Sequence, residues 1–348
     1  MMAKNLFFIF GSGTIAFIIA LVLAPGFIRL LHHYKMGKKL RENATSGEKA
    51  TIFNQLHEKK KGTPTMGGIL IWGTVLLVIG FSKLLSIFGV FEHSLLNRKE
   101  TWLPLFTLIT TAILGLVDDY LNVKGMGKTK GLSVKPKMFW MILLATAGAY
   151  WFYSKLGYSS VHIPGIGDLE LGIWYIPAFM LVFVGTSNAV NFTDGLDGLA
   201  GGLLIIAFGA FGILAAAKGL FILAAFCAVI CGALFGFLWH NIPPAKFYMG
   251  DTGAIALGAT LGVIAMMTDA IVPLILIGFI FVIETLSVII QLTSKKFLKR
   301  KVFAIAPLHH HFEFKGWNEA TVVMRFWIVG GLIAVFGLVL GLLENNIL

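Results

Sequence analysis

The chain has 348 residues, 57% of them hydrophobic and only 13% charged, with a mean hydropathy of +0.85. A soluble domain has no interior large enough for that much apolar surface, so the composition excludes one and points to a membrane protein. The formal net charge of +11 is spread over loops beside apolar runs, which suits membrane lipid headgroups and a polyanionic substrate such as a nucleotide diphosphate, not nucleic acid.

Apolar stretches near twenty residues predict ten helices, at 6–31, 67–90, 102–121, 137–156, 173–190, 197–217, 219–240, 252–268, 271–293 and 321–343. The first is expected to be a retained span, because its apolar part is too long for a leader and no small-x-small cleavage pattern follows it. Lys218 and Gly219 separate the sixth from the seventh. The fold class is therefore an all-α integral membrane protein, one polytopic domain over 1–348.

Twenty-two of the 28 Lys and Arg residues fall at alternate helix ends, in 29–65, 118–137, at 246 and in 294–325. Lys and Arg are retained on the cytoplasmic side, so both termini are expected outside the cytoplasm. Between Gly157 and Gly172, short extended runs around Pro164, Gly165 and Gly167 predict a small extracytoplasmic β-hairpin. Five of the seven aspartates, Asp118, Asp119, Asp194, Asp197 and Asp251, then share the cytoplasmic face. Carboxylates beside hydrocarbon are costly enough to require a cation, a substrate or a catalytic duty.

In chain order, the first polar motif is Lys60-Lys-Gly-Thr-Pro-Thr-Met-Gly-Gly68, which combines cations, hydroxyls and glycines but has neither Walker nor dinucleotide spacing. Gly115-Leu-Val-Asp-Asp-Tyr120 ends the third helix. Its adjacent carboxylates point about 100° apart, so they can share a Mg²⁺ environment while doing different jobs. Crowding of like charge raises one pKa and suits a general base.

Asn188, Asn191, Asp194 and Asp197 recur every third residue at the junction of the fifth and sixth helices, forming a polar spiral if the segment is helical. Cys227 and Cys231 on the seventh helix have no His or carboxylate nearby in sequence and read as packing residues. The segment His240 to Gly253 opens the eighth helix at Asp251, where backbone N–H groups and a bound cation can meet phosphate oxygens. Phe247 and Tyr248 beside it offer faces for a base to stack on.

Glu284 lies inside the ninth helix and reads as a bonded structural acid, paired with a helix hydroxyl or bracing a bend; its other reading is an ion path. Ala306-Pro-Leu-His-His-His-Phe-Glu313 precedes the last helix. Three consecutive imidazoles do not converge readily on one metal, so they suit phosphate contacts or protonation of a leaving group.

Taken together, KKGTPTMGG, GLVDDY, NAVNFTDGLDGLAGG, MGDTG and APLHHHFEFKGW, in this order along an apolar chain, resemble the polyprenyl-phosphate N-acetylhexosamine-1-phosphate transferases. PTMGG and HHHFE favour the phospho-N-acetylmuramoyl-pentapeptide branch of that family, and the resemblance covers essentially the whole chain. It implies transfer of the phosphosugar from UDP-MurNAc-pentapeptide to undecaprenyl phosphate in the bacterial cytoplasmic membrane, with Mg²⁺ as cofactor and a homodimer as assembly.

By the same resemblance Asp251 is the expected Mg²⁺ ligand, with Asp118 and Asp119 beside it, one of the pair deprotonating the lipid phosphate. Asp194, Gly195, Leu196 and Asp197 resemble a nucleoside pocket, with Lys60, Thr65, Asn188, Asn191, Asn241 and Tyr248 around it. His309, His310 and His311 match histidines at the substrate phosphates or sugar. Lys130 and Lys137 resemble lysines beside the reaction centre. Tyr248 stands where the family usually has a uracil-stacking phenylalanine, and Ala254 where a serine follows GDTG. Two competing functions are a sibling enzyme that transfers N-acetylglucosamine 1-phosphate, and a cation-coupled transporter built around Glu284.

Overall fold

The computed structural model describes residues 2–37, 60, 62–89, 94–96, 100–126 and 131–343. Lys130, one of the two expected lysines, lies outside the described residues.

Helices occupy each of the apolar stretches, because a chain without water to solvate its amides must satisfy them internally. They are α1 (Met2–His33), α2 (Gly68–Ile87), α3 (Trp102–Lys124), α4 (Val134–Lys155), α5 (Tyr175–Thr193), α6 (Leu199–Ala217), α7 (Phe221–Asn241), α8 (Asp251–Met267), α9 (Ile271–Ile277), α10 (Phe279–Thr293), α11 (Leu308–Phe314) and α12 (Glu319–Leu343). Seven of them are long and apolar enough to cross a membrane, or eight if the bent pair α9 and α10 is one span. Helix α8 is apolar but short, at 17 residues.

The ninth predicted span is not one straight helix. It breaks at Gly278, and α9 and α10 meet at 82°. A glycine here relieves crowding, since a Cβ at 278 would lie 3.0 Å from the Leu274 carbonyl oxygen.

Helix α8 is the central post, with every residue from Thr252 to Met266 buried. A helix that is apolar on all sides belongs inside a bundle. Glycines let it touch its neighbours backbone to backbone: Gly68 of α2 against Gly253, Gly115 of α3 against Asp251, and Gly258 against Ser187 of α5. The outer helices carry the reverse pattern. Phe7, Phe10 and Val22 of α1, and Ile328 and Phe336 of α12, are largely exposed, as lipid-facing side chains must be.

At one end, β1 (Ser160–Ile163) and β2 (Gly167–Glu170) form the expected antiparallel hairpin, in register from Ser160 opposite Glu170 to Ile163 opposite Gly167. The His162 amide donates to Asp269 Oδ1 at 3.1 Å, tying the hairpin to the turn after α8. The polar motifs gather at the other end.

Candidate active site

The centre is assembled from the ends of four helices. Asp118 and Asp119 lie near the C-terminus of α3, Lys137 in the first turn of α4, Asn191 in the last turn of α5, and Asp251 at the start of α8. Lys137 Nζ donates to Asp118 Oδ2 at 3.0 Å and also to Asp251 Oδ2. Asn191 Nδ2 donates to the other Asp251 oxygen at 2.9 Å, and the Leu132 amide donates to Asp118 Oδ1 at 2.7 Å. Residues distant in sequence thus form one carboxylate pair, clamped by an ammonium and an amide.

Helix contacts hold these groups in place. A Cβ on Gly115 would fall 2.2 Å from the Asp251 carbonyl oxygen, so only glycine lets α8 begin there. Thr252 Oγ1 donates to the Ala112 carbonyl at 3.0 Å, and the Thr252 amide donates to Asp119 Oδ2 at 3.0 Å. Asp119 therefore caps the first turn of α8, a place that favours negative charge. The two adjacent aspartates face different partners, as their angular separation on a helix demands.

Among the described residues, no group of three or more His, Cys, Asp and Glu side chains is placed to hold a metal ion. Asp118 and Asp251 do converge, on one ammonium. Mg²⁺ is commonly held by one or two carboxylates with substrate phosphates supplying further oxygens. That pair therefore fits the cation, whereas Asp119 is directed at a backbone amide.

A second polar cluster surrounds Asp197. Lys60 Nζ donates to Asp197 Oδ1 at 2.7 Å and to Glu319 Oε1, which also accepts the Asp197 amide at 2.8 Å. Asp197 Oδ2 accepts the Ala245 amide at 2.9 Å. Burial alone lowers the Lys60 pKa, but hydrogen bonds and charge from Asp197 and Glu319 outweigh it and hold the ammonium above its ordinary 10.5. Glu319 was not among the sequence candidates, since a lone acid 122 residues from Asp197 opens an apolar helix like any first-turn acid.

The spiral of polar residues does not become one surface. Asn188 Nδ2 turns back to the Val184 carbonyl at 2.8 Å, Asn191 reaches Asp251, and α5 ends at Thr193 before the spacing reaches Asp197. Asn241 is a brace: the Gly198 amide donates to its Oδ1 at 3.0 Å, and its Nδ2 donates to the Phe247 carbonyl at 2.8 Å. Phe247 is wholly buried against Phe237, ring centroids 4.9 Å apart, so it offers no face for a base.

Tyr248 is half-buried, with its phenol held up in pKa chiefly by burial. Its backbone is laced to the PTMGG strip: the Tyr248 amide donates to Pro64 O, and the Gly67 amide to Tyr248 O. Thr65 is buried, and its hydroxyl finds no partner among the described residues. Leu196, within the Asp194–Asp197 turn, is buried.

The His309 and His310 rings touch, centroids 4.0 Å apart, but the three histidines take different hydrogen-bond partners. His309 Nδ1 lies 3.1 Å from Glu284 Oε2, His310 Nδ1 lies 2.7 Å from Glu313 Oε2, and His311 Nδ1 accepts the Ala304 amide at 3.3 Å. Glu284 pairs with a histidine, not with a helix hydroxyl. A Cβ on Gly195 would lie 2.3 Å from His309 Nε2, so the histidine loop packs directly on the Asp194–Asp197 turn.

A multi-helix membrane protein whose carboxylates, lysines and histidines meet at one end of the bundle belongs with enzymes that handle phosphorylated substrates at a bilayer. Residues 101–269 match the model for glycosyl transferase family 4, and residues 60–71 match signature 1 of the phospho-N-acetylmuramoyl-pentapeptide-transferases. A phospho-N-acetylmuramoyl-pentapeptide-transferase of Geobacillus sp. (strain WCH70) is 42% identical over 332 residues, covering 93% of this chain and 95% of the relative. The enzyme of that name from Anoxybacillus flavithermus is 42% identical over 329 residues, covering 94% and 96%. The one from Chloroflexus aurantiacus is 39% identical over 342 residues, covering 94% and 88%. The chain belongs to the phospho-N-acetylmuramoyl-pentapeptide-transferase family.

Proposed function

We propose that the protein transfers phospho-N-acetylmuramoyl-pentapeptide from UDP-MurNAc-pentapeptide to undecaprenyl phosphate, giving lipid I and UMP in bacterial peptidoglycan biosynthesis. The observation that carries this reading is the meeting of Asp118, Lys137, Asn191 and Asp251, joined to the Lys60–Asp197–Glu319 cluster by the 245–251 segment, whose first residue bonds Asp197 and whose last is Asp251. One centre suits a diphosphate, the other its nucleoside.

The lipid phosphate oxygen attacks the sugar-bearing phosphorus, the diphosphate bridge breaks, and UMP departs with the bridging oxygen. Both reactants are anionic, so their repulsion must be neutralised before in-line attack. Asp118 and Asp251 would hold Mg²⁺, which when bound supplies charge neutralisation on the diphosphate. Lys137 adds a positive charge beside both, and Asp118 assists removal of a proton from the lipid phosphate. Asp119 fixes the start of α8. Lys60, Asp194, Asp197 and Tyr248 receive the nucleoside, with His310 and His311 toward the sugar phosphates. Attack is direct; trapping a phosphosugar adduct on the protein without lipid acceptor would refute that.

The topology that goes with this chemistry has ten spans, both termini outside and the site on the cytoplasmic face, supported by the distribution of Lys and Arg. A homodimer completes the reading, and cross-linking in the membrane tests it.

Purified protein is assayed with UDP-MurNAc-pentapeptide or UDP-N-acetylglucosamine, undecaprenyl phosphate, and Mg²⁺ present or chelated. UMP release from the first substrate alone, abolished by chelation, is expected. Release only from the second assigns the sibling reaction, and none from either refutes the transferase.

A further inference from the structure

Glu284 is a carboxylate with no exposure, placed in α10 just beyond the bend at Gly278. Both its oxygens are engaged by one residue. Oε1 accepts the His309 amide at 3.0 Å, and Oε2 faces His309 Nδ1 at 3.1 Å. A carboxylate accepts only, so Nδ1 carries a proton, and in the neutral form of the ring Nε2 is the nitrogen that keeps a lone pair.

That Nε2 is buried and has no hydrogen-bond partner among the described residues. It abuts Gly195 so closely that any Cβ there would lie 2.3 Å away. An acceptor fixed in orientation, buried and unsatisfied costs free energy unless a ligand completes it. The bare Cα of Gly195 is what lets this nitrogen reach the Asp194–Asp197 turn.

We propose that Glu284 is a positioning residue for the transfer reaction: it holds His309 as the Nδ1–H tautomer, so that Nε2 accepts a hydrogen bond from an N–H or O–H of the nucleotide-sugar bound at the Asp194–Asp197 turn. This rests on the transferase reading above. Glutamine at 284 has one acceptor for two donors, so its NH₂ meets either the His309 amide or Nδ1. The ring escapes that conflict by moving its proton to Nε2, where it no longer accepts.

The test combines nitrogen-15 histidine spectra of the full-length protein in nanodiscs with turnover, using UDP-MurNAc-pentapeptide as the probe and His309→Asn to assign the His309 signals. Wild type is expected to show a protonated Nδ1 and a lone-pair Nε2 that shifts on adding the probe. Glu284→Gln is expected to exchange the two and to lower kcat/KM for the nucleotide-sugar by about 10- to 100-fold, as loss of an orienting carboxylate does. The double variant should be no slower than His309→Asn alone. Losses that multiply, or an Nε2 signal unmoved by the probe in wild type, overturn the proposal. If the glutamine variant does not fold, Glu284→Asp decides: turnover regained with Nδ1 unprotonated overturns it, and turnover regained with Nδ1–H supports it. A wild type that releases no UMP refutes the transferase reading, while the ring spectra still judge the pair.

Discussion

Gly115 and Asp251 touch through their backbones: a Cβ at 115 would sit 2.2 Å from the Asp251 carbonyl oxygen. The start of α8 is thereby pressed against α3, within reach of Asp118 and Asp119. Gly115→Ala must separate the two helices, and overpacking of this kind costs about 1–3 kcal/mol. Turnover is expected to fall about tenfold or more, because ångström-scale displacement of reacting groups is that expensive. UMP release and thermal unfolding in detergent read the two effects. Wild-type activity in a destabilised variant would show that the contact serves stability alone.

Lys137 stands between Asp118 and Asp251 as a built-in cation. Replacing it by methionine leaves two carboxylates facing each other without it, so an added cation should bind more tightly while the transfer slows. The expected result is a lower half-saturating Mg²⁺ concentration with kcat reduced on the order of 100-fold, the scale of losing one charged donor at a reacting phosphate. An unchanged Mg²⁺ dependence would argue that lysine and metal do not share the site.

The sequence already displayed the helices and the motif aspartates, because hydropathy over twenty residues is a strong signal and a charged side chain within it is conspicuous. It did not display which acids meet. Asp118 and Asp119 are neighbours in sequence yet serve different partners, whereas Asp118 and Asp251 are 133 positions apart along the chain and share one lysine. Glu319 escaped for the same reason, and Glu284, legible as a bonded acid, was matched to a hydroxyl where the fold supplies His309, since such partners are set by tertiary packing. The 82° break at Gly278 was hidden because one glycine in a long apolar run is compatible with a straight helix.

Lys60 supplies a pH prediction. Its pKa is raised in the folded protein, so the stability it contributes is complete below the ordinary lysine value and is lost as pH rises through the higher folded one. The stability difference between wild type and Lys60→Met should therefore be flat from about pH 7 to pH 10 and shrink only above that range. Denaturant unfolding at several pH values measures it. A difference that already shrinks near neutral pH would contradict the Lys60–Asp197–Glu319 arrangement.

Membrane orientation is open to labelling. The largely exposed Ile166, in the hairpin turn, replaced by cysteine should react with an impermeant maleimide in intact cells, and Lys299→Cys only after permeabilisation. Cys227 is buried but Cys231 only partly so, and both are replaced by alanine in the labelling background. The opposite pattern would invert the topology.

If carboxylates from α3 and α8 form a single cation-dependent centre for the nucleotide-sugar, Asp251 and Asp118 must govern metal binding there. Electron paramagnetic resonance of Mn²⁺ titrated into the protein with UDP-MurNAc-pentapeptide tests it most directly. One tight site is expected in wild type, lost in Asp251→Asn, weakened in Asp118→Asn and retained in Asp119→Asn. Tight binding that survives in Asp251→Asn would contradict it.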